Sequence, residues 1–491
     1  MRRRVSFLYS ALAGVCSLGI VIFLGVIVQG VRSQSTNKDP VTDNALQLVG
    51  QGRQIFRFDT FGDQTFWGDT LKLHQAIEGS GLGGVGPGVS PKTALEVGLK
   101  VDVDALPSNL IEQLQHGMVN LNDPAVTAAL LKLNAVVGVT GIFDSGGTLA
   151  SMGIQCALCH STVDNSQPAL CAGVIQPNPG TGCVGHRLDG WPNRDLNVGA
   201  IVALAPDLSS VASLLSTSQA AVRTVLNSWG PGKFDAELIL DGKPSNASQV
   251  TDGVVTGMNV PGATLIPPAF GLGGVNLHTW TGWGSVPHWN AFVANLEMHG
   301  KGRFWDPRLN DATQFPIAAI HGFGDLRLPT GQYIGPDDDQ ITSKLQALQF
   351  YQLAIPSPQP PSGSFDPAAA DRGDALFSGK AKCNNCHVEP LWTDAGWNLH
   401  TPAEICIDSF QADRAPDHRY RTSPIGDLFT HSKGGFYHDG RFATVANVVD
   451  HYNTCLALGL TSGEKSDLIQ YLLSLTFGSR NSQSKQANLP H

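Results

Sequence analysis

Charged residues are scarce in this 491-residue chain, with Asp, Glu, Lys and Arg together making up only 15%. That level excludes a coiled coil or a charge-rich disordered chain. Cations are scarcer still, 32 Lys and Arg against 41 Asp and Glu, for a net charge of −9. A nucleic-acid binder needs a basic face, so no nucleic-acid partner is expected. No close internal self-similarity is visible. Glycine and proline are plentiful, at 55 and 30 residues. They describe a loop-rich globular protein, of the kind that can wrap a bulky flat ligand. The length allows about three ordinary domains.

The N-terminus reads as an export segment over residues 1–33. Arg2, Arg3 and Arg4 precede an uncharged apolar run from Ala11 to Val28, the pattern of a translocation signal. The run is long for a removed signal and just long enough to cross a bilayer. An inner-membrane anchor and a cleaved leader both stay open, and either puts the rest of the chain in the periplasm or another extracytoplasmic space. Nine cysteines suit that oxidising setting.

Two segments carry the chemistry. Cys156-Ala157-Leu158-Cys159-His160 and Cys383-Asn384-Asn385-Cys386-His387 both read C-x-x-C-H, the attachment signature of c-type haem. Two thiols a helical turn apart reach the two vinyl groups on one haem edge. The next residue, histidine, then faces the iron from the proximal side. Zinc or redox C-x-x-C sites do not need that histidine. Two covalent haem c groups are expected, with His160 and His387 as iron ligands. Of the other cysteines outside the export segment, Cys171 is expected to pair with Cys183 and Cys406 with Cys455.

The fold expected is mainly α, with two cytochrome-c-like haem domains, long loops and the N-terminal signal or membrane-spanning helix. Residues 46–354 form the first haem domain, with an insertion at about 207–295. Residues 355–365 are a proline/serine linker, 366–478 the second haem domain and 479–491 a tail. Helices are expected over Asp366–Phe377 and Asp467–Leu475. The aromatic-rich insertion contains Trp229, Trp280, Trp283 and Trp289; it reads either as a roof over the first haem or as a small second core.

Around the haem motifs the chain resembles the bacterial di-haem cytochrome c peroxidase/MauG superfamily. Phe436-Tyr437-His438-Asp439-Gly440-Arg441 is similar to that family's aromatic-His-Asp-Gly segment. The resemblance implies that Tyr452, fourteen residues after His438, is the distal ligand of the second haem, with His451 as rival. Gly185-His186 resembles a loop whose histidine ligates the first haem and leaves on activation. Arg303-Phe304-Trp305-Asp306-Pro307-Arg308 resembles the segment whose tryptophan relays electrons between the haems. The family also implies a calcium ion, here matched to the Asn193 side chain and the carbonyls of Lys433 and Gly435.

One departure bears on activity. Gln314-Phe315-Pro316-Ile317-Ala318-Ala319 puts Ala318 where the peroxidases carry the glutamate that moves a proton between peroxide oxygens. His321, a turn away, is expected to share its face and is the candidate stand-in. The expected function is therefore a haem-dependent oxidoreductase of the peroxidase type. It would use H2O2 or O2 and a small cytochrome or cupredoxin as electron donor. An O2-dependent oxygenase resembling the rubber oxygenases, and a non-catalytic electron carrier, are the alternatives.

Overall fold

A computed structural model describes residues 39–171, 181–247, 249–251, 254–257, 260–324, 338–394, 396, 398–431 and 433–477. The export segment, the tail at 479–491 and part of the loop between Cys171 and Cys183 lie outside the described residues. Among those described, no helix is long and apolar enough to cross a membrane.

The described architecture is helical with small β ribbons. Each sheet has two strands, and the longest strand, Leu149–Ile154, has six residues. It pairs antiparallel with Val139–Phe143, and this hairpin delivers the chain directly into Cys156. The following helix, Ala157–His160, is only four residues long. Gly138 allows it to pack against the hairpin base. With φ of +81°, a side chain there would be strained, and a Cβ would lie 2.1 Å from Leu158 Cα. The helix's free carbonyls are capped from the loop beyond, by Gly190 N–H to His160 O at 2.8 Å and Asn193 N–H to Cys159 O at 2.8 Å.

Among the hydrophobic cores within residues 48–477 are an N-terminal, an aromatic and a C-terminal one. The N-terminal core gathers Trp67, Leu71, Leu130, Met152 and Leu158. A second, aromatic core joins Trp283, Phe292 and Phe315 to Leu240 and Ala318. The third holds Ala370, Phe377, Trp392, Val449 and Tyr471. It is built on three helices, Pro367–Ser378, Val445–Cys455 and Ser462–Ser474. Their starts are encoded locally. Asp366 caps the first, ahead of Pro367, and Thr444 with Asn447 and Thr461 with Glu464 form capping boxes on the others. Gly373 sets the contact of the first helix with the last, where a Cβ would lie 2.2 Å from Asp467 O. The expected helix at 366–377 matches the first of these to within a residue; the one expected at 467–475 starts five residues earlier, at Ser462.

The tryptophans of residues 207–295 divide between cores and the second haem site. Trp229 packs in the N-terminal core, Trp283 and Trp289 in the aromatic one, while Trp280 faces the second haem site. The structure also contains a repeat that the sequence hid. Arg308 N–H and Nε–H donate to Asp306 Oδ1 at 3.0 and 2.9 Å. Arg441 makes the same pair of bonds to Asp439 Oδ1, at 3.1 and 2.9 Å. Each haem half thus carries one Asp-x-Arg clamp.

Candidate functional site: two haem-attachment centres

At the first centre, Cys156 and Cys159 are free thiols. Burial pushes both up to about 12, with nearby carboxylates adding to the effect. Loss of solvation lowers His160 to about 4, so its ring is neutral at physiological pH. Its Nδ1–H points at the Pro267 carbonyl, 3.2 Å away. That bond fixes the tautomer with Nε2 as the free lone pair, the state a haem iron requires.

The second centre repeats this logic. Cys383 lies on a single turn of 3-10 helix, Cys383–Asn385, and Cys386 follows it; both are free. Burial raises the Cys383 thiol to about 11. His387 is kept neutral by desolvation, with Nδ1 3.0 Å from the Trp392 carbonyl. These residues open on a cavity of about 690 Å³, within the range of cofactor pockets. Tyr452, Phe377, Leu468 and His438 line it. Burial pushes the Tyr452 hydroxyl up to about 12, partly offset by a hydrogen bond with Tyr437. His451 is buried beside it but outside the cavity lining, with Nε2 2.9 Å from the Ile405 carbonyl. Of the two ligand candidates, only Tyr452 faces the cavity.

The chemistry of the donors fits two haem c groups. Each centre offers two free thiols and a neutral, pre-oriented imidazole. A further observation supports the fit. Arg194 is 2% exposed, and none of its three guanidinium nitrogens has a hydrogen-bond partner. Burial lowers it to about 10, against the attraction of Asp427. A buried guanidinium without a partner is costly, and an anionic haem propionate is the kind of group that would satisfy it.

The other expected site residues are placed differently. His186 stands in solvent with Nδ1 2.9 Å from Asp104 Oδ1, and that carboxylate raises its pKa. Trp305 is 56% exposed, although the neighbouring Asp306 is buried between Trp283 and His288. His321 is exposed at the end of a short helix and stacks on Phe323. Ala318, three residues earlier on the same helix, is fully buried in the aromatic core. For calcium, Asn193 Oδ1 accepts from Asp195 N at 3.3 Å. The Asp195 carboxylate is already bound by Lys100, at 2.5 Å, and by Lys433.

Sequence reasoning missed Glu297. It ends a π-helical turn, Val293–Glu297, a feature frequent at functional sites. Its Oε1 is buried without a hydrogen-bond partner, and its charge acts on Cys159. Desolvation, with Glu237 and Asp235 nearby, raises it far above the usual carboxylate range. Glu237 is itself pushed up to about 7 by burial. Nothing in the sequence around Glu297 distinguishes it from a surface glutamate. Both expected disulfides are present, Cys171–Cys183 and Cys406–Cys455.

No protein-family model matches the chain. It is 28% identical over 266 residues to the cytochrome-c peroxidase IdrP1 of Denitromonas iodatirespirans, covering 40% of this chain and 70% of that protein. It is 26% identical over 184 residues to the methylamine utilization protein MauG of Methylorubrum extorquens, covering 35% of this chain and 52% of that protein. The chain thus spans about half the length of the second relative. A solved MauG-like protein associated with microbial copper homeostasis aligns over 50% of this chain and 81% of its own, at 17% identity and a TM-score of 0.29.

Proposed function

We propose that this chain, a homologue of the bacterial di-haem cytochrome c peroxidase/MauG superfamily, is an exported oxidoreductase with one reactive haem and one electron-transfer haem. The observation that carries the proposal is the pair of neutral histidines, each fixed by a main-chain carbonyl beside a C-x-x-C thiol pair. Haem c supplies the oxidising and electron-storing chemistry; the protein supplies attachment, ligands and protons.

At the second centre, His387 and Tyr452 face the same cavity from different elements. A phenolate is a hard anionic donor that favours ferric iron. This centre is the electron store. The first centre is the reactive one. His160 holds its proximal side, and Glu297, kept protonated by burial and close enough to act on Cys159, is its proton donor. A carboxylic acid of raised pKa can donate at neutral pH, the role the missing glutamate at position 318 would have filled.

Electrons pass between the centres through a short stretch of chain. Pro267 accepts the His160 hydrogen bond and also lines the second cavity. Trp280 lines that cavity too, and its Nε1–H donates to Leu265 O at 2.9 Å. Trp280 is therefore the better-placed relay; Trp305 retains only its motif. A small cytochrome or cupredoxin is the expected donor, and H2O2 or O2 the oxidant.

An EPR spectrum of the ferric protein tests the proposal, because an enzyme needs an open or displaceable iron site. One high-spin and one low-spin iron are expected, with only the low-spin signal changing in Tyr452→Phe. Two low-spin irons that stay so on reduction and exposure to peroxide would make the protein an electron carrier.

A further inference from the structure

We infer that the N-terminal core contains a binding site for one small nonpolar gas molecule of the size and chemistry of dioxygen. The site is a cavity of about 110 Å³. Ala94, Leu95, Leu130, Met152, Leu158 and Val184 are among its walls, and all six are buried.

The few polar groups at its edge do not make it a water site. Lys100 Nζ is bound to Asp195 Oδ2 at 2.5 Å. The Trp67 indole N–H donates to Met298 O at 2.9 Å. That leaves the Thr127 hydroxyl, which has no partner. A buried water needs two to four polar partners, and one hydroxyl does not hold it. Apolar cavities of comparable size stay dry and take up xenon or benzene. Hydrogen peroxide, which must keep its hydrogen bonds, is rejected by such walls. A nonpolar diatomic loses nothing on entry.

The position gives the site a use. Leu158 stands between Cys156 and Cys159, so one wall of the cavity is the first haem-attachment segment itself. Leu170 and Val184, the residues just outside the Cys171–Cys183 disulfide, complete the walls there. A gas molecule held here is separated from the first centre by the Leu158 side chain and its helix. Storage of an oxidant for that centre rests on the haem reading; occupancy by a gas does not.

Crystals of the haem-loaded full chain, pressurised with xenon and read by anomalous scattering, test the inference. One xenon is expected within the named walls. The site should be lost in Ala94→Leu, which fills the space, and retained with higher occupancy at the same pressure in Leu130→Ala, which enlarges it. If Ala94→Leu does not fold, the wild-type and Leu130→Ala arms still decide. Ordered water in the wild-type cavity, or no xenon there while other apolar sites fill, overturns the inference. So does unchanged occupancy in a folded Ala94→Leu protein. A xenon site in protein that proves to be a mere electron carrier would sustain this inference and remove the oxidoreductase reading.

Discussion

Removing the Cys406–Cys455 disulfide should loosen the Tyr452 helix selectively, by an amount that the structure allows to be worked out. The bridge closes a loop of 49 residues, and loop entropy alone makes that worth about 4 kcal/mol. It joins the segment after the second haem motif to the last residue of the helix Val445–Cys455. A second tie lies one turn earlier, where His451 Nε2 meets the Ile405 carbonyl at 2.9 Å, a bond worth about 1 kcal/mol. A double serine variant therefore keeps the weaker tie and loses the stronger. Amide hydrogen exchange resolves this locally, which suits a large cofactor protein whose global unfolding is not two-state. Exchange in Val445–Cys455 should quicken by up to about a thousandfold, since each 1.4 kcal/mol is tenfold. Adding His451→Phe should quicken it further. Breaking Cys171–Cys183, a bridge with a sequence separation of 12, should leave this helix alone. An unchanged rate, or a uniform rise across the whole chain, would refute the reasoning.

Glu297→Gln keeps shape but removes the proton, and peroxide turnover should fall about 10²–10⁴-fold with the apparent affinity for the electron donor unchanged. Ala318→Glu should not create an acid–base group. The side chain sits fully buried in the aromatic core, where an unpaired carboxyl costs about 3 kcal/mol or more, so a lowered melting temperature without faster peroxide turnover is expected. His186 should titrate above the ordinary histidine value of about 6.5, because Asp104 stabilises its cation. Its stabilising contribution is present in full below that ordinary value and is lost as pH rises through the raised one. An NMR titration should show the raised pKa return toward normal in Asp104→Asn.

What could be read from the sequence was chemistry with fixed spacing. Two thiols and a histidine within five residues carry their own geometry, and Asp366 beside Pro367 marks a helix start without help from the rest of the fold; the Thr461/Glu464 box, which starts the last helix at Ser462 rather than Asp467, went unread. The placement of Tyr452 beside the second cavity agrees with the reading from its fixed spacing to the His438 segment. Roles that depend on tertiary placement were not legible. His186, Trp305 and His321 have suitable chemistry, but the fold turns their side chains toward solvent. The partner that orients His160 is a main-chain carbonyl 107 residues away, and no residue type signals a carbonyl. Glu297 gains its character from burial, which the surrounding letters do not encode. The Asp-x-Arg repeat was hidden because Trp305 and His438, and Pro307 and Gly440, differ while the clamp they flank stays the same.

The central claim is that one chain carries two covalently bound haems, one at each C-x-x-C-H segment. Intact-mass spectrometry of the purified protein tests it most directly, on wild type and on Cys156→Ala/Cys159→Ala and Cys383→Ala/Cys386→Ala double variants. The expected result is a mass above the polypeptide by two haem groups in wild type and by one in each variant, unchanged by acid–acetone extraction. A wild-type mass carrying one haem or none, or a variant that keeps both, would contradict the account.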